Sequence, residues 1–184
     1  MPLQKITPEE ILYKSIKVFR RRGYYRTKMS DLAKEVGLTK GTFYHHFESK
    51  EDVMRKALMA SIQWFETSLF SIAFEPQLSS KEKLEKMSEK AFKAFTDNEG
   101  GCIFANTILE TAHVEDTFIK EILRFFELWK QALMEVFKEK YSNDQLTDVV
   151  QQIIGDIEGS IIIMQLHKDN LYLKRALNRS IEML

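Results

Sequence analysis

The 184-residue chain holds one cysteine, three prolines and seven glycines. A single thiol excludes an intrachain disulfide framework and any zinc centre built on several thiolates. Glycine and proline together reach about half their usual share in globular proteins. Turns are therefore few, and long helices are favoured over many short strands. The longest unbroken apolar run, Ile161 to Met164, is far shorter than the roughly 18 residues of a membrane span. Met1 to Thr7 lack the apolar stretch of a secretory signal. A cytoplasmic protein with a reduced thiol and no membrane partner is expected. There is no Gly-rich phosphate loop, no metal-ligand cluster and no Ser/His/acid set in a recognisable context. The expectation is thus no enzyme, no catalytic residue, no metal and no cofactor.

Net charge is also absent, with 27 basic against 27 acidic residues, but the balance hides an asymmetry. Residues 1–50 carry a net +6 and residues 51–184 a net −6. A basic front end is drawn to a polyanion, whereas the acidic remainder is not. Hydrophobic residues at 44% are enough for a real core.

The basic segment reads as three short helices. Thr7-Pro8-Glu9-Glu10 is a capping box with proline at the first helical position. Ile11, Leu12, Ile16 and Phe19 follow on one face, and Gly23 ends the helix after Arg20-Arg21-Arg22, cations well placed at a helix C-terminus. Thr27 is the expected cap of a second helix through Met29, Leu32, Ala33 and Val36, stopped by Gly37. Thr39 caps a third, Lys40 to Phe47. Two short helices, a tight turn whose glycine supplies positive φ, and Leu32, Val36, Leu38 and Phe43 as locking contacts suit a helix-turn-helix. Phe43 and Phe47, four apart, read as core rather than as stacking platforms. The adjacent His45 and His46 point about 100° apart on a helix and make a poor metal pair.

From about Ile11 to Val53 the chain resembles, without gaps, the DNA-binding domain of the tetracycline-repressor (TetR) family. Leu32-Ala33, Gly37, Lys40-Gly41-Thr42-Phe43-Tyr44, His46-Phe47 and Ser49-Lys50-Glu51 carry the likeness. The resemblance implies a third helix lying in the DNA major groove. Lys40 and Thr42 would then reach base edges, Gly41 would allow close backbone approach, and Thr39 would be helix cap, DNA contact or both. It further implies phosphate contacts from Tyr44 and His45, from Thr27 and Lys28 at the start of the second helix, and from Lys50.

The remaining residues also read as helices: Ser49 to about Phe74; one capped by Ser79-x-x-Glu82; Cys102 to about His113; Asp116 to Lys140; one capped by Ser142 and reaching His167; and one from Asn170. Asp97 to Gly101 is a break. The fold class expected is all-α, with a three-helix DNA-binding domain over residues 1–50 and a six-helix ligand-binding and dimerisation domain over 51–184. Gly101-Cys102-x-x-x-Asn106-x-x-x-Glu110 resembles a motif of one branch of TetR regulators, beside the inducer cavity. Cys102 has two readings, a small buried residue or a sensor thiol at a helix N-terminus. Trp64, Phe65, Phe95, Cys102, Asn106, Phe125 and Trp129 are candidate cavity residues, with plain core as the alternative for the aromatics. Gly155 and Gly159, with Ile162 beside them, read as a homodimer surface or as packing within the subunit.

The function expected is a ligand-responsive transcriptional regulator, a homodimeric repressor released from a palindromic double-stranded DNA operator by a small-molecule effector. A redox-responsive regulator using Cys102 is the alternative. A helical adaptor is disfavoured by the polar Lys40, Thr42, Tyr44 and His45 face.

Overall fold

A computed structural model of the chain describes residues 6–97, 99–114 and 116–184. Asn98, within the expected break, and Met1 to Lys5, at the start examined for a signal, lie outside the described residues. The described residues form nine α-helices, one 3-10 helix and no strand: α1 (Pro8–Arg22), α2 (Met29–Val36), α3 (Lys40–His46), α4 (Lys50–Ser68), a 3-10 turn (Phe70–Phe74), α5 (Ser80–Thr96), α6 (Ile103–Thr111), α7 (Ile119–Phe137), α8 (Asn143–His167) and α9 (Leu171–Glu182). Contacts divide the chain into two compact units.

The first unit comprises the chain up to Ser61 together with Ile103–Ile122. By contacts it therefore includes the start of α4, all of α6 and the first turn of α7. Thr7 and Glu10 form the reciprocal capping box of α1. Gly37 adopts the left-handed conformation at φ 76°, and the Leu38 and Gly37 amides donate back to Ala33 and Lys34. This paired closure satisfies two orphan carbonyls at the end of α2 and turns the chain sharply into α3. Leu32 and Phe43 are fully buried, Val36 and Phe47 nearly so, and the two Phe rings lie 5.1 Å apart. The basic run closing α1 is spent partly inside the unit: Arg21 pairs with Glu35 and Arg22 with Asp31.

The second unit comprises Ile62–Cys102 and Leu123–Leu184. Ser79 and Glu82 form the expected capping box of α5. The stripe on α7 is buried at Phe125, Trp129, Leu133, Val136 and Phe137. α4 stops at Ser68 rather than Phe74. Lys90 donates to the Ser68 carbonyl at 2.6 Å, and the chain tightens into the 3-10 turn before Pro76. α6 and α7 are each shorter than expected at both ends; turn hydrogen bonds from Val114 to Thr111, from Ile119 to Asp116 and from Lys140 to Phe137 replace helix at three of these ends. α8 has the length and apolar content of a membrane span. Glutamine, glycine, serine and acidic residues interrupt its apolar pattern, so no long unbroken apolar run marks it in the sequence. Its Leu146, Val150, Ile153, Ile157, Ile161 and Met164 are buried against the rest of the protein.

Glu158 on α8 is an exception in this core. Both carboxyl oxygens are buried, and neither is reached by a hydrogen bond of ordinary geometry. Burial pushes the carboxyl up to about 7, with a partial offset from the Cys102 thiol beside it. An acid whose folded-state value is raised binds its proton more tightly in the native protein. Stability is therefore greatest below the unfolded value and declines as pH rises through about 7. Urea unfolding near pH 5 and near pH 8 should show Glu158→Gln gaining on the natural protein by on the order of 3 kcal/mol at the higher pH relative to the lower. An identical difference at both values would contradict this.

Candidate nucleic-acid interface and ligand cavity

A helix of seven residues has few places to put functional side chains, and α3 spends only Phe43 on the core. Thr39, Lys40, Gly41, Thr42, Tyr44 and His45 are all exposed. Thr39 serves as the cap, accepting from the Thr42 amide at 3.1 Å, while the two hydroxyls share a 2.8 Å hydrogen bond. The Lys40 ammonium rests 5.8 Å from the Tyr44 ring centre. Amides at the start of α3 have no carbonyl partner within the helix, so this end presents donors together with a cation.

Two expected phosphate contacts are placed differently. Thr27 is 1% exposed and does not cap α2. Its hydroxyl donates to the Gly23 carbonyl at 2.6 Å and its amide to the Tyr24 carbonyl. A threonine hydroxyl buried in the preceding turn has no path to a phosphate. Lys28 takes the cap position instead, exposed, with its amide donating to Asp31 at 2.9 Å. That amide first, and then Arg22, hold the Asp31 carboxyl below the usual carboxylate range. Lys50 is half-buried, and its ammonium donates to the Tyr24 carbonyl at 2.9 Å while lying 4.2 Å over the Tyr24 ring. It braces the turn before α2.

In the second unit, Phe65, Phe95, Phe125 and Trp129 line an apolar cavity of about 30 Å³. Phe65 stands 5.1 Å from Phe125, edge to face, and 6.1 Å from Phe95. Leu69, Phe70, Met87 and Leu133 complete much of the wall, and the serines Ser88 and Ser180 are its only polar members. Helical stripes mark these residues as inward-facing, but a stripe does not reveal which inward faces enclose a void. Trp64, Cys102 and Asn106 are not among the walls. Trp64 is 45% exposed because it lies one position, about 100°, around the helix from Phe65. Cys102 is buried beside Glu158, and Asn106 is half-buried in the first unit.

On α8, Gly155 and Gly159 are exposed, and Ile162, Ile163 and Leu166 continue the same open face. A Cβ built on either glycine would meet nothing within 4 Å. Packing inside the subunit therefore does not require them to be small, and that reading of the two glycines fails. No group of three or more metal-ligating side chains occurs among the described residues.

Residues 11–57 match the family described as bacterial regulatory proteins, tetR family. Residues 80–179, more than half of the chain, match the transcriptional regulator LmrA/YxaF-like C-terminal domain.

The chain belongs to the TetR family.

It is a DNA-binding transcriptional regulator and not an enzyme. Among similar proteins is the HTH-type transcriptional repressor DhaR of Mycobacterium sp. (strain GP1), 22% identical over 167 residues, covering 88% of this chain and 83% of that one. A TetR regulator from Legionella pneumophila superposes with a TM-score of 0.87 at 21% identity over the whole of both chains. Bacillus subtilis FadR, solved in complex with stearoyl-CoA, superposes with a TM-score of 0.70 at 17% identity, covering 94% of this chain and 95% of that one.

The bracing by Lys50 has a consequence without DNA. Replacing it with Met removes a charge-assisted hydrogen bond to a part-buried carbonyl. Unfolding free energy should fall by about 2 kcal/mol. Unchanged stability in DNA-free urea titrations would mean that the ammonium has no structural role.

Proposed function

We propose that this TetR regulator is a cytoplasmic, homodimeric repressor that binds a palindromic operator through α3 and leaves it when a neutral, largely apolar effector opens the cavity of the second unit. The observation that carries the reading is α3 itself: one buried aromatic, with exposed residues on either side of it in sequence suited to base edges and phosphates. Lys40 suits guanine O6 and N7, and the Thr42 hydroxyl suits a hydrogen bond to a base edge, or its methyl a thymine methyl. Tyr44, His45 and Lys28 supply backbone contacts that fix the register. The expected division into residues 1–50 for DNA and 51–184 for effector and dimer is a division of these roles.

Two glycines in the middle of α8 cost helix stability of roughly 1 kcal/mol each relative to alanine. Among the described residues, nothing lies within 4 Å of a Cβ built on either, so close packing inside the subunit does not offset that cost. A second copy of the same helix, packed at close range against Ile162 and Ile163, would. A two-fold dimer places its two reading helices about one DNA turn, 34–36 Å, or a multiple apart.

The effector's chemistry follows from the walls. Aromatic rings and two serine hydroxyls offer no counter-charge. At about 30 Å³ the cavity holds little more than a water, whereas ligand sites of drug-sized molecules span roughly 300–1,000 Å³. Binding therefore requires the walls to part. That opening gives the effector a differential affinity for one state of the protein, which is what release from DNA requires. The stearoyl-CoA bound by the FadR neighbour carries an apolar acyl chain, although its CoA head is anionic, so only the acyl part is a precedent for an apolar guest. Cys102, buried and outside the cavity, is read as a packing residue.

Selection from a random duplex pool should enrich a palindrome, with affinity falling steeply as salt rises. Lys40→Ala or Thr42→Ala should each lose ~1–3 kcal/mol on that palindrome and relax preference at one position of each half-site. Equal binding to shuffled sequence would sink the reading. Ile162→Lys should leave the helical fold intact and weaken self-association by roughly 100-fold in sedimentation experiments. A variant that remains a dimer would place the interface elsewhere.

A further inference from the structure

The turn joining α1 to α2 is held from outside by a carboxylate far away in sequence. Glu110, the penultimate residue of α6, accepts the backbone N–H of Tyr25 at 3.1 Å. Its carboxylate fills the space beside Gly23, where a Cβ would collide with both oxygens and the carbon between them. Gly23 has φ 79°, a conformation side chains rarely adopt, so this position favours glycine by conformation, and the Glu110 carboxylate takes the space that a side chain would enter. α6 packs on α1 in the same unit, which brings the carboxylate to the turn.

Two carbonyls of the turn are committed in other directions. The Gly23 carbonyl takes the Thr27 hydroxyl, and the Tyr24 carbonyl takes both the Thr27 amide and the Lys50 ammonium. Tyr24 packs edge to face on Phe118 at 4.9 Å. Three residues beyond Tyr25 the chain enters α2 through Lys28, whose exposed side chain and following amides form the phosphate-facing start of that helix. A backbone held at Tyr25 fixes where Lys28 points.

We propose that Glu110 is a positioning residue for DNA recognition: without touching DNA, its carboxylate sets the Gly23–Tyr25 turn and thereby the phosphate grip at the start of α2. The proposal rests on the DNA-binding reading above and adds to it a residue outside the helix-turn-helix. A charge-assisted bond to a backbone amide is stronger than a neutral one, so a carboxamide replaces it only in part.

The test uses full-length protein and the palindrome that the natural protein selects from a random pool. Glu110→Ala should bind about 10-fold more weakly, with the slope of log affinity against log salt reduced by about one phosphate equivalent. Base preference at the Lys40 and Thr42 positions should be unchanged, and the Tyr25 amide should exchange faster with deuterium. Glu110→Gln, isosteric and able to accept from Tyr25, should lie between, at two- to threefold weaker, and decides the matter if the alanine variant does not fold. A purely structural role would lower melting temperature while leaving affinity and salt slope untouched in the folded variant, and that result overturns the proposal. Failure of the natural protein to enrich any sequence would instead refute the DNA-binding reading.

Discussion

A seven-residue helix cannot sustain itself in water, because the nucleation cost of its first turn is spread over too few hydrogen bonds. The existence of α3 therefore depends on the burial of Phe43 against Leu32 and Val36, helped by the Thr39 cap and the closure at Gly37. Phe43 is the one buried residue of the helix, and its other six residues are exposed. Thr39 lies at the junction of the two tasks. It caps the helix and also shares its hydroxyl with Thr42, so the cap and part of the reading surface are one hydrogen-bonded pair.

Around that anchor, charge is used sparingly. The basic front end suggests a broad electrostatic footprint, but Arg21, Arg22 and Lys50 are engaged with Glu35, Asp31 and the Tyr24 carbonyl. The two exposed ion pairs contribute little stability individually. They do fix α1 against α2 and the turn between them. The cations left to meet a polyanion are fewer and better placed, Lys28 and Lys40 among them. Affinity then depends on how the α1–α2 turn is held as much as on how many positive charges the segment contains.

Helix starts were legible in the sequence wherever a local signal carries its own chemistry. Thr7 with Glu10, Ser79 with Glu82, Thr39 and Gly37 act where their side chains or φ requirements say they should. Helix ends were less legible, because they are set by partners distant in sequence. Lys90 takes the Ser68 carbonyl and α4 stops there. Thr27 looked like a cap because it precedes an amphipathic run, but a buried bond to Gly23 outcompetes that role. Helical stripes turn Phe65, Phe95, Phe125 and Trp129 inward, whereas Trp64 shows the limit of composition: one residue along the same helix turns it to solvent. The emptiness around Gly155 and Gly159 was not legible, since only coordinates show that nothing inside the subunit needs them small.

Hydroxyl-radical footprinting of the protein on its selected duplex tests most directly whether paired α3 helices read DNA. The account predicts two patches of protection related by a two-fold axis, on one face of the duplex, with centres about one helical turn or a multiple apart. A single patch, or protection spread evenly along the fragment, would contradict it.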